Sequence, residues 1–219
     1  MNLLIISQIV AAVGIIIGHP GILLRLGEIL NRPFKQDLAR TRGDARRGVL
    51  YAFTLGMAPW EKESTRRHWI AYVRGILFHV GVFTAIFVLL ASPWLFPAGQ
   101  LAAIPFWLMI GLVALTGAGA LFGFAGIYMR LSGENERVLS LPDDYFSVFL
   151  TSLFAALACL ALLVPTSLPV FLIVSGLLAA YIPLSKIRHC VYFFYSKFFF
   201  GAGFGRRGVI GQSESPYSK

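Results

Sequence analysis

Four histidines are the residues of this 219-residue chain best suited to chemistry, and none falls in an ordinary polar loop. His19 lies inside the first apolar segment and His79 near the middle of the second, which His68 opens. His189 is read as lying on the inner half of the fifth. Ionisable groups inside apolar runs are expensive and by default point to function. One such histidine, satisfied by a single hydrogen bond, is more often structural than a ligand. Four of them on the first, second and fifth segments form enough pairs for two haem b groups, because a low-spin haem iron takes two axial nitrogens from opposite faces.

The second segment carries the sharpest signal. His68 and His79 are eleven residues apart, close to three helical turns, so both project to one face about 16 Å apart along the axis. One helix can thus ligate two stacked haems. Arg74 lies between them, and an arginine inside a span calls for an anion. With the spans bounded as below, no acidic residue lies on any of them, so a haem propionate is a candidate partner; snorkelling toward the interface is the competing reading. Gly14, Gly18 and Gly21 around His19, Gly75 before His79, and the small residues between Leu115 and Gly126 allow close helix packing or room for a flat macrocycle. Packing alone explains them. Pro20 and Pro183 can kink their helices and re-aim His19 and His189.

The elements that must position these residues follow from composition. Hydrophobic residues make up 57% of the chain and charged ones 13%, with a mean hydropathy of +0.74. Soluble domains average about 45–50% apolar and about 25% charged, so the chain is an integral membrane protein. A hydrocarbon core of about 30 Å needs about 20 apolar helical residues, and five segments qualify: Leu3–Leu24, Trp69 to about Leu95, Leu101 to about Met129, Tyr145–Val164, and one starting near Leu168. The first lacks a basic leader and a small-residue cleavage site and is read as a retained span. The predicted fold is an all-α bundle of five transmembrane helices in one domain, residues 1–211, with a loop at 25–68 and a polar tail at 212–219 of disordered composition.

Charge distribution orients the bundle. The Arg25–His68 connection holds ten Lys/Arg and five acidic residues, whereas the links around Pro97 and Pro165 carry no charge. The positive-inside rule then places the N-terminus outside and the C-terminus in the cytoplasm; the near-neutral Arg130–Asp144 connection weakens that pattern without reversing it. Within the long loop, residues 49–60 are apolar enough for an interfacial helix or a docking surface. The net charge of +9 therefore reports topology rather than nucleic-acid binding, for which no motif is present. Cys159 and Cys190 have neither metal-site nor disulfide-framework spacing.

The five-span layout, the histidine pair on the second span and the run Pro183-Leu-Ser-Lys-Ile-Arg-His189 resemble the gamma subunit of respiratory nitrate reductases. Leu141-Pro-Asp-Asp-Tyr145 and the tail Phe198–Val209 are more similar to a wider set in that superfamily, the membrane subunits of heterodisulfide-reductase-like and sulfite-reduction-associated complexes. The resemblance implies a mono- or dihaem cytochrome b in a prokaryotic cytoplasmic membrane. It would exchange electrons with a membrane quinone and dock a cytoplasmic iron–sulfur subunit. Carried over by position, His68 and His189 are the pair for the inner haem and His79 is the second-span ligand of the outer one. The fifth span lacks the second histidine of that pattern, which leaves His19 as the candidate to complete the outer haem.

The chain has no nucleotide loop, dinucleotide fingerprint or cysteine cluster, so it reads as an electron-transfer subunit rather than a complete enzyme. A small transporter using membrane histidines would want acidic residues in its spans and inverted repeats. A haem-free membrane anchor, its histidines satisfied by backbone, is the remaining alternative.

Overall fold

The computed structural model describes residues 2–32, 38–61 and 67–210; the 212–219 tail lies outside them. Apolar runs of this length leave the backbone no partner but itself in a bilayer, which selects helix. Among the described residues the chain is all-helical, and five helices are long and apolar enough to cross a membrane. In chain order the helices are α1 (Leu3–Leu30), α2 (Ala45–Phe53), α3 (Trp69–Leu90), α4 (Phe106–Ser132), α5 (Pro142–Leu163), α6 (Leu168–Tyr181) and α7 (His189–Arg206). Short helices occupy Ser92–Leu95 and Glu134–Leu139. The five spans are α1, α3, α4, α5 and the stretch Pro165–Leu184 around α6.

The chain forms two compact units, residues 2–23 with 73–187 and residues 24–72 with 188–210. In the first, glycines set the packing. A Cβ on Gly81 or Gly119 would meet the other's backbone, which locks α3 onto α4; Cβ atoms on Gly14 and Gly18 would meet the backbone of Gly176 and Ala179, which locks α1 onto α6. Close approach of this kind replaces the hydrophobic drive that lipid cannot supply. Helix α5 packs against both α4 and α6, its Phe154 stacked on Phe171 with ring centroids 5.4 Å apart. Buried hydroxyls return to their own helix, as when Thr116 donates to Leu112 O at 2.7 Å and Ser175 to Phe171 O at 2.6 Å. Each is satisfied locally and can sit among apolar neighbours.

In the second unit α2 packs against α7 through Gly48, Gly201 and Gly205, where added Cβ atoms would collide with facing backbone. Phe53 meets Phe193 and Phe194 at 6.4 Å, and Arg42 N and Gly43 N both donate to Arg206 O at 3.0 Å. The apolar face expected at residues 49–60 is thus occupied at least in part by α7. Tyr51 donates to Glu61 Oε2 at 2.6 Å, and this bond to a carboxylate pushes the phenol above its ordinary pKa.

Several boundaries differ from expectation. Helix α1 runs six residues past Leu24, through Arg25, to Leu30, and takes in Pro20 on the way. Helix α5 begins at Pro142 rather than Tyr145, so Asp143 and Asp144 lie in its first turn. Proline fits the first helical position and carboxylates favour the N-terminal end of the dipole, a signal that hydropathy alone does not register. The spans are therefore not free of acidic residues. Helix α6 ends at Tyr181, and Pro183, which cannot continue it, sits in a turn before α7. His189 is accordingly the first residue of a separate helix, not part of the fifth span.

Candidate functional site

His68 immediately precedes α3 and His189 begins α7; both side chains are exposed and both belong to the second compact unit. That unit has a cavity of about 390 Å³ whose lining includes Tyr51, Glu61, Lys197 and Phe200 but none of the histidines. His19 and His79 belong to the first unit.

The rings of His19 and His79 are held in the same way. His19 Nδ1 lies 2.9 Å from Ile15 O and His79 Nδ1 lies 2.7 Å from Gly75 O, each one turn back on its own helix. A carbonyl only accepts, so the proton is on Nδ1 and the lone pair of the neutral ring is on Nε2. This is the tautomer a haem ligand needs, with the second nitrogen orienting the ring. A Cβ on Gly75 would meet nothing within 4 Å, so the surface one turn from His79 is open.

The packing registers show that His19 and His79 do not share a level. On α3 and α4, Phe78 faces Gly123, and Gly123 faces Ser152 on α5. Two residues on, Phe154 stacks on Phe171 of α6, so His79 belongs to the Phe171 level. On the other side of the unit Gly18 faces Ala179, which puts His19 near Tyr181. Phe171 and Tyr181 are ten residues apart on α6, roughly 15 Å. An iron coordinated from two sides needs its ligands nearly level, so the pairing of His79 with His19 expected from the sequence is not provided by this register.

Arg74 lies with Phe78 and Gly81 on the stripe of α3 that meets α4. Its Nη1 packs on Gly126, where any Cβ would collide with it. Its Nε is buried and has no hydrogen-bond partner. Arg130 lies one turn beyond Gly126 on the same helix. A guanidinium with one unmatched buried donor suits a carboxylate such as a haem propionate. The histidine tautomers and this orphaned donor both fit a haem. Among the described residues no group of three or more His, Cys, Asp or Glu converges as for a metal ion; bis-histidine haem ligation uses only two.

The two short motifs read from the sequence meet each other. Asp143 accepts hydrogen bonds from Tyr181 Oη, from Ser147 Oγ at 3.1 Å and from Lys186 N at 2.9 Å. Asp144 accepts from Leu141 N at 2.8 Å, capping α5, and its two oxygens lie 2.7 Å from Lys186 Nζ. Pro-Asp-Asp-Tyr and Pro-Leu-Ser-Lys thus form a latch between the start of α5 and the end of α6, a contact that spacing along the chain could not reveal. The chain matches no known family model, curated protein or solved structure.

Proposed function

We propose that this protein is a haem b-containing membrane subunit that passes electrons between a membrane quinone pool and a cytoplasmic iron–sulfur partner. The observation that carries the reading is the tautomer of His79, whose Nδ1–H bond to Gly75 O directs its Nε2 lone pair away from the helix backbone. Haem supplies one-electron chemistry at its iron when bound. His68 and His189, which share a compact unit, hold one haem. His79, near the middle of α3, holds a second from one side. Arg74 offsets a propionate charge.

The loop at 25–68 faces the cytoplasm, the N-terminus lies outside and the membrane is a prokaryotic cytoplasmic one. This orientation rests on the ten Lys/Arg of that loop and the uncharged links at the opposite ends of the spans. The basic residues Arg42, Arg46 and Arg47 take part in docking the soluble subunit, and substrate chemistry belongs to that subunit. The test is a dithionite-minus-air spectrum of the purified full chain with a pyridine haemochrome count. One or two haems per chain, reoxidised by a quinone analogue, are expected; a colourless, folded protein overturns the reading.

A further inference from the structure

We propose that Arg74 and Arg130 together form a clamp for a membrane-borne oxyanion at one end of the first compact unit. Arg74 reaches from α3 onto Gly126 of α4, and Arg130 lies one turn further along α4. Among the described residues no carboxylate pairs with Arg74. Asp144 is paired with Lys186 at 2.7 Å and lies in the field of Arg130 as well, and Asp143 is filled by Tyr181, Ser147 and Lys186 N. Arg130 commits one donor to Ser140 Oγ at 3.2 Å.

Two like charges in a medium of low dielectric are costly unless an anion sits between them. With Nη1 set on Gly126, the remaining edge of the Arg74 guanidinium is Nε and Nη2, the fork that seats a carboxylate or phosphate by two parallel hydrogen bonds. Nε is shut off from water, so its missing partner is one that bulk solvent does not supply. The chemistry is shared by a haem carboxylate and the phosphate of an anionic phospholipid. The first source rests on the haem reading above; the second does not.

Full-length protein in phosphatidylcholine nanodiscs, with and without phosphatidylglycerol, separates the sources. For a lipid phosphate, phosphatidylglycerol raises the melting temperature of the parent chain. Arg74→Gln and Arg130→Gln lose that gain and bind the anionic lipid about tenfold more weakly, while Arg40→Gln in the other unit keeps it. For a haem carboxylate, the gain is the same in all variants, haem content is unchanged, and the midpoint potential falls in Arg74→Gln because a positive charge near the iron is lost. Arg74→Lys, which keeps the charge but not the fork, serves if the Gln variant fails to fold. Equal lipid gain together with an unchanged potential overturns the clamp. A haem-free chain defeats the haem reading alone and leaves the lipid comparison to decide.

Discussion

For single residues, what matters is which atom of a side chain is left to react. The backbone carbonyls of Ile15 and Gly75 fix the protons of His19 and His79 on Nδ1, and depth then separates the two rings. His79→Ala is expected to abolish one haem signal, whereas His19→Ala leaves that signal in place; redox difference spectra of the two variants check this. His68→Ala and His189→Ala are each expected to remove one and the same other signal, since a bis-histidine iron that loses a ligand turns high-spin or dissociates. Loss of different signals in those two variants would refute the pairing. Asp143 accepts three hydrogen bonds as an anion. Asp143→Asn should cost about 1–3 kcal/mol, read as a lower melting temperature in detergent with little change in haem content.

Among the helices, the small residues of the spans act first as packing surfaces. Gly14 and Gly18 touch α6, and Gly81 touches Gly119 across α3 and α4. None of these glycines is needed to make room for a macrocycle. Gly81→Leu or Gly14→Leu forces helices apart and should destabilise the first unit by about 1–3 kcal/mol or more. Gly48→Leu should do the same for the contact of α2 with α7. Limited proteolysis distinguishes the two cases: the first pair of substitutions opens sites in the spans and their links, the last opens the loop around residues 38–61. Gly75→Ala, at an open position, leaves stability nearly unchanged and serves as the control.

Across the molecule, the proposed orientation and docking both rest on the distribution of charge. A cysteine introduced in place of Arg40, Arg42 or Arg47 should be labelled by a membrane-impermeant reagent only from the cytoplasmic side. One introduced near Pro97 should be labelled only from outside, and the reverse pattern would refute the proposed orientation. Replacing Arg42, Arg46 and Arg47 with Gln is expected to reduce co-purification of the soluble subunit. The difference from the parent chain should shrink as salt rises, because exposed charge contacts are screened within about 10 Å at 0.1 M. Retention unaffected by the triple change would assign these residues to topology alone.

Hydropathy and span length are properties of contiguous residues, so the membrane class and the number of spans were legible in the chain alone. The histidines and Arg74 stood out for the same reason, since charge in an apolar run is visible in one dimension. Three features needed the packed molecule. Helix α5 starts at Pro142, where a proline and two carboxylates outweigh hydropathy, and this brings Asp143 and Asp144 into the latch with Lys186. His189 begins its own helix because Pro183 stops α6. The levels of His19 and His79 depend on how four helix interfaces are registered, and register is set by where glycines let backbones touch. Position along a chain measures depth only within one helix; between helices the packing measures it.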